Sequence, residues 1–451
     1  MKKPERTSFR SYFAIELKEG AQWHNVLAMV AIMFVLQITF QIWSVILPRY
    51  LMELGGLDRQ HLGKVTGAMG ITYDLIRIIF IGVFGAMSDT FGRKTLLFAG
   101  AVVSVLSYWY FAFTPEIAIL FGINLIIPAY IARIVIAFSM QIMSPQLLPT
   151  FFDYTLPNSR GRIASLYGAT MTLGVFLAYR ILGPLNKTLS IRDFILLGTW
   201  ISLGVIFLTW LGVIDLTPAR EKVEWQWKKI FSATKSSFKN FSKAWPLVKK
   251  NPALLFCYAV AFVEKSDISV QVYFFMAWAV VVAQKFQMTR AEATADAAAS
   301  ISWGALMGLI TFFAGGFIID RFGRKFCLMV GLLFSGCAFV GLGFLDSPFL
   351  LGATVAIALR GFGTSAASLA TYALVSDLSP KELVGTIWGG YNMAAAGGMM
   401  IVGAIAIILF DYVGYSYPFA LAGGMDLVVF IWGIFIWKKI PERKYTSTST
   451  A

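Results

Sequence analysis

The chain carries twelve apolar stretches of about 20 residues or more, near 25–48, 65–87, 95–114, 117–147, 163–184, 193–214, 253–284, 299–319, 326–345, 348–376, 385–410 and 416–437. No other feature narrows the possible folds so far. A helix rises about 1.5 Å per residue, so each run matches the hydrocarbon thickness of a bilayer. In lipid a helix satisfies its own backbone hydrogen bonds, and these runs are too long for barrel strands. The expectation is an all-α membrane protein of twelve transmembrane helices with no strand anywhere. Residues 1–24 are largely polar and no small-residue cleavage site follows the first run, which therefore reads as an uncleaved anchor rather than a secretion signal.

The net charge of +14 would suggest nucleic acid in a soluble chain, but 58% of the residues are hydrophobic and only 14% charged. The basic residues lie mostly between the apolar runs, so no nucleic-acid partner is expected. Placing the N-terminus inside puts 26 of the 38 Lys and Arg on cytoplasmic segments and 7 on outer loops. Both termini are expected in the cytoplasm of a multi-pass protein of the inner or plasma membrane. The division is a tail at 1–24, a six-helix half at 25–216, a basic amphipathic cytoplasmic linker at 217–251, a second half at 252–438 and a tail at 439–451. In the linker, nine Lys and Arg alternate with Trp and Phe, a pattern suited to anionic headgroups and the acyl boundary. Cys257, Cys327 and Cys337 lie inside apolar segments, and His24 and His61 flank the first span, so neither a disulfide framework nor a metal centre is expected. No cofactor and no G-x-x-x-x-G-K-[ST] loop is indicated.

An internal repeat divides the chain in two. The stretch from Gly85 to Lys94 recurs from Gly316 to Lys325, with six of ten positions identical: Gly85, Asp89, Phe91, Gly92, Arg93 and Lys94 match Gly316, Asp320, Phe322, Gly323, Arg324 and Lys325. Arg133 matches Arg360, and Asp153 and Gly161 match Asp377 and Gly385, at nearly the same offset. In each copy the glycine permits close helix approach and the aspartate stands beside two basic residues at the membrane surface, which suits a breakable charge latch.

With this motif in both halves, the chain resembles the major facilitator superfamily over its whole length. Asp153, Pro157, Arg160 and Gly161 resemble the D-x-x-x-P-x-x-R-G stretch of that superfamily's sugar and metabolite porters. The seventh span departs from hexose porters by reading Glu264-Lys265-Ser266-Asp267, and the fifth has only Gly183-Pro184 where drug–proton antiporters carry a longer motif. The resemblance implies two six-helix bundles that rock about a central cavity lined by helices one, four, seven and ten. It also implies a cytoplasmic gate at the repeated motif, with Asp153 and Arg160 as partners.

Nine ionisable residues fall within spans: Asp74, Arg77, Arg133, Arg180, Glu264, Lys265, Asp267, Arg360 and Asp426. Each costs about 2.5–3.5 kcal/mol if it faces lipid at the bilayer centre, so the set must face protein or water. Arg180 lies far enough along its helix to reach the outer headgroups, and Asp426 stands alone on the last span, suited to a helix–helix hydrogen bond. Asp74 and Arg77, three residues apart, either pair with each other or face the cavity. Glu264 and Asp267 share a helix face, and two close carboxylates in low dielectric make a candidate proton carrier unless Lys265 neutralises them. Arg133 and Arg360, matched across the repeat, are candidates to grip a carboxylate or phosphate, with Lys265, Gln37, Gln41, Trp388, Tyr391 and Asn392 as further substrate contacts. The glycines of the eleventh span read as close helix contacts.

The resulting expectation is a monomeric secondary transporter, not an enzyme, that moves a small polar, anionic metabolite by alternating access with proton symport. A facilitative uniporter or exchanger, a lipid flippase and a non-transporting scaffold or sensor are the alternatives.

Overall fold

The computed structural model describes residues 15–156, 159–216, 245–380 and 383–440. Most of the linker, residues 217–244, and both chain ends lie outside the described residues. Among the described residues the long helices are α1 Trp23–Glu53, α2 Leu62–Phe91, α3 Arg93–Ala112, α4 Ile126–Tyr154, α5 Arg160–Thr188, α6 Ile191–Gly212, α7 Pro252–Val270, α8 Arg290–Phe322, α9 Arg324–Gly343, α10 Leu351–Leu378, α11 Val384–Ile408 and α12 Tyr417–Phe435. Eleven spans among the described residues are long and apolar enough to cross a bilayer; α2, of 30 residues, is the further long helix.

Three local features depart from the sequence expectation. The run 117–147 is broken: a short helix Thr114–Phe121 ends at Gly122, which takes a left-handed φ of 61°, and α4 starts at Ile126. Gly122 carries that turn without the Cβ clash that other residues would meet. α7 is interrupted by one π-helical turn, Gln271–Phe275, before the helix resumes over Met276–Val282. The expected absence of strand pairing fails at one bridge, where Leu17 pairs with Thr155 and the Lys18 N–H donates to the Tyr154 carbonyl at 2.9 Å. The tail thus supplies partners that the chain needs where α4 ends.

Glycine sets the closest helix crossings. A Cβ on Gly361 of α10 would lie 2.1 Å from the carbonyl oxygen of Gly304 on α8, and one on Gly398 of α11 would lie 2.0 Å from that of Phe262 on α7. The latter agrees with the reading of the α11 glycines as packing positions.

At each repeated motif the turn glycine, Gly92 (φ 87°) or Gly323 (φ 86°), separates two helices. Arg93 pairs with Asp153 at 2.5 Å, and Arg324 pairs with Asp377 in the equivalent place. Both pairs join the motif loop to the end of the fourth helix of the same half. Lys94 donates to the Trp210 carbonyl, and Asp215 accepts from the backbone N–H groups of Arg93 and Lys94. Lys325 is buried against the Trp437 ring. The side chains of Asp89, Arg160 and Asp320, and the side of Gly316 that faces its neighbours, lie outside the described residues.

Between the halves, the described contacts gather at the middle and at the end opposite these loops. α5 packs on α8, where Lys187 meets Asp296 at 3.4 Å and the Arg180 guanidinium stacks 4.9 Å from the Trp303 ring. Arg180 thus also faces an indole of the other half, a partner that lipid does not supply. α2 packs on α11, and the Asp411 carboxylate just beyond α11 accepts from the backbone N–H groups of Gly63 and Lys64 at 2.9 and 2.8 Å. Those N–H groups open α2 and have no partner inside their own helix.

Candidate functional site

The two repeat-matched arginines are both buried, Arg133 to 4% exposure and Arg360 to 9%. Arg133 projects from α4 between α1 and α2. Its Nε donates to the Met69 carbonyl at 3.2 Å, and its guanidinium lies 4.9 Å from the Trp43 ring and 4.5 Å from the Tyr73 ring. Two aromatic faces substitute for a carboxylate as the immediate shell of this charge. A cavity of about 20 Å³, room for about one water, adjoins it between α1, α2, α4 and the π turn of α7.

The π turn ties this region to the second arginine. An inserted residue of this kind rotates the side chains that follow it, and two polar groups of the turn serve opposite halves. Tyr273 donates to the Asp74 carboxylate at 2.7 Å and lies 3.1 Å from the Gly70 carbonyl, both on α2 of the other half. Gly70 makes this possible, since a Cβ there would lie 2.6 Å from the tyrosine ring. Gln271 accepts from Nη1 of Arg360 at 2.8 Å. The Nε and Nη2 of Arg360 are buried with no hydrogen-bond partner, so the guanidinium retains two donors that are not used.

The remaining candidates divide between two clusters. Asp74 is held by Tyr273 rather than by Arg77, and Arg77 is exposed and within electrostatic reach of Tyr167 on α5. Gln41 accepts from Tyr179 at 2.7 Å and from Ser44 at 3.0 Å, and Gln37 packs against Gly174. Both glutamines thus fasten α1 to α5, and Tyr179 lies within electrostatic reach of Arg360. In the C-terminal half, Lys265 donates to Glu264 at 3.0 Å and to the Tyr372 hydroxyl at 3.3 Å, and Ser368 also donates to Glu264. Tyr372, Trp388 and Tyr391 form an aromatic group with ring centroids 5.3–6.1 Å apart, while Asn392 is exposed.

Glu264 and Asp267, expected to act as one pair, have different partners. Lys265 meets Glu264, and Asp267 has a further carboxyl neighbour in Asp426 on α12, which the sequence left alone. One turn of α7 points the two acids to different helices, a separation that helical spacing does not reveal. Tyr273, Gln271, Tyr179 and Ser335 were missed by sequence reasoning. A signal existed for Gln271, a lone amide within an apolar run; the others are tyrosines and a serine of kinds common in packed helices.

A family model described as Major Facilitator Superfamily matches residues 27–357 and 266–451. The chain is similar to the magnetosome protein MamH of Paramagnetospirillum magneticum, 24% identical over 416 residues that cover 92% of this chain and 93% of MamH. Its fold is shared by solved structures of transporters. The nucleoside transporter NupG superposes with a TM-score of 0.71 at 12% identity, covering 92% of this chain and 100% of NupG. The xylose transporter XylE from E. coli, in an inward open conformation, gives 0.68 at 15%, covering 93% and 97%.

Proposed function

The chain belongs to the major facilitator superfamily, a family of multi-pass membrane transporters of small molecules and not of enzymes, and from that premise we propose that it carries a small polar anion by alternating access, driven by proton symport. The observation that carries the anion reading is the pair of buried arginines at repeat-matched positions, one of which retains two unused donors. A buried cation with spare donors is stabilised by a carboxylate or phosphate more than by a neutral ligand. Proton coupling is supported by the buried carboxyl groups Asp74, Glu264 and Asp267 around the same helices.

Among the described residues the motif's ion pairs lie within each half, and the contacts that must break for transport lie between the halves. Arg93–Asp153 and Arg324–Asp377 hold each motif loop within its own half, and Asp411, Tyr273 and Arg180 link the halves at the middle and the other end. Alternating access then requires the second set to release while the first keeps each half rigid. The proposed orientation has twelve spans in the inner or plasma membrane with both termini and the 217–251 linker in the cytoplasm. Single cysteines placed in that linker should react with an impermeant maleimide only in inside-out vesicles; labelling of intact cells would reverse the orientation.

Substrate is best sought by a thermal-shift screen of organic anions, sugars and amphiphiles, followed by uptake into proteoliposomes. Uptake of the compound found should increase as the outside is acidified and should collapse with an uncoupler. Asp267→Asn is expected to impair accumulation while exchange down the substrate's own gradient continues, because a neutral side chain mimics the protonated state. Uptake indifferent to pH and uncoupler would leave a uniporter or exchanger.

A further inference from the structure

Asp267 and Asp426 present an unusual balance of hydrogen-bonding groups. They are 0% and 1% exposed, and three of their four carboxyl oxygens have no donor. Ser335 on α9 donates to the fourth, Oδ2 of Asp267, at 3.1 Å, and is also within reach of Asp426. Glycine brings these helices together: a Cβ on Gly423 of α12 would lie 2.5 Å from the Val340 nitrogen of α9, and one on Gly336 of α9 would lie 3.0 Å from the Gly423 carbonyl oxygen. The two carboxyl groups lie within electrostatic reach of each other. Both are acceptors only when ionised, so a hydrogen bond between them requires a proton on one.

The charges that surround the pair fix how many protons it holds. Asp267 faces Arg360 from α10 and Glu264 on its own helix, and Asp426 faces Asp267 and Arg360. Glu264 is matched by Lys265 at 3.0 Å, which leaves one guanidinium against two aspartates. A buried group of charges is stable only near neutrality. Two ionised aspartates leave one negative charge in excess, and two neutral ones leave Arg360 uncompensated. One shared proton balances the set.

We infer that Asp267 and Asp426 form a one-proton site whose occupancy is tied to the ligand state of Arg360. An anion bound at the free Nε and Nη2 of Arg360 cancels the arginine's charge, and the pair then takes a second proton to remain neutral. Release of the anion returns that proton. One proton thus enters with each unit of negative charge, which deepens the proposed symport by naming its coupling device, and the device rests on that reading of Arg360.

Infrared spectra of the purified full-length protein in lipid nanodiscs, with no substrate added, test the site through the C=O stretch of protonated carboxyl groups in variant-minus-wild-type differences. Asp267→Asn and Asp426→Asn should each remove one protonated-carboxyl band, because the field of the nearby Arg360 charge then keeps the remaining aspartate an anion. Arg360→Gln should increase the same band about twofold, since both aspartates then hold protons. Ser335→Ala, which keeps both acids, should shift the band without loss and serves where an aspartate variant does not fold. Survival of the band in either single asparagine variant, or no increase in Arg360→Gln, overturns the shared proton. The readout needs no transport, so a protein with this band pattern and pH-independent uptake loses the symport reading and keeps the proton site.

Discussion

Arg360→Gln should abolish net uptake and weaken substrate binding by about 10- to 100-fold, the loss of one or two charge-assisted hydrogen bonds, while the protein remains monodisperse. Arg133→Gln should do the same. The reason lies in what each guanidinium leaves behind. Arg360 makes one hydrogen bond to protein, to Gln271, which a glutamine side chain can replace in kind, and no carboxylate lies within ion-pair distance of it among the described residues. Arg133 gives up one bond to the Met69 carbonyl and two aromatic contacts. Stability should therefore fall less than binding does. Arg360→Lys separates charge from geometry: a lysine keeps the charge but not the planar fork, and should bind more weakly than arginine and better than glutamine. Binding curves for a hit from the thermal-shift screen decide the matter. Normal affinity in both glutamine variants, or aggregation of both, would make the arginines structural.

Gly70→Leu should stop the transport cycle by preventing closure of the end opposite the motif loops. Even a methyl group at Gly70 would lie 2.6 Å from the Tyr273 ring, which is 8% exposed and fixed by its bonds to Asp74 and the Gly70 carbonyl. A leucine has no space there unless α2 and α7 separate. That separation also breaks the neighbouring packing, because Gly67 faces Ile407 and Phe274 and Gly63 faces Asp411. Uptake should fall to background, and a cysteine introduced at Thr66, buried in the wild type, should become reactive to an impermeant maleimide. Tyr273→Phe is the milder test. It keeps the ring and removes the hydroxyl, so Asp74 loses its closest donor and closure weakens without a steric block. Wild-type uptake by Gly70→Leu would show that this contact is not broken and remade during transport.

The extent of what was readable from sequence differs between fold and site. Apolar run length is a one-dimensional property, and the bilayer converts it to helices with little help from tertiary contacts, so the places of all the long helices were legible. The duplication was legible for the same reason, since Gly92 with Gly323 and Arg93 with Arg324 are matched letter by letter. The prominence of Arg133 and Arg360 followed from the cost of a charge in lipid, which needs no coordinates. Pairing was not legible. Asp74 has Arg77 one turn away yet bonds Tyr273, 199 residues distant in the chain.

Sequence by itself determined a bundle of membrane helices in two related halves, with a charge set inside it that lipid would not tolerate. Tertiary structure alone decided which of those charges meet. The π turn at Gln271–Phe275 depends on how α7 packs between the halves, and it aims Gln271 at Arg360 and Tyr273 at Asp74. The meeting of Asp267 with Asp426 depends on a glycine crossing between α9 and α12. Helical period gives the face on which a side chain lies, whereas its partner is set by the rotation and spacing of a second helix that no local pattern encodes.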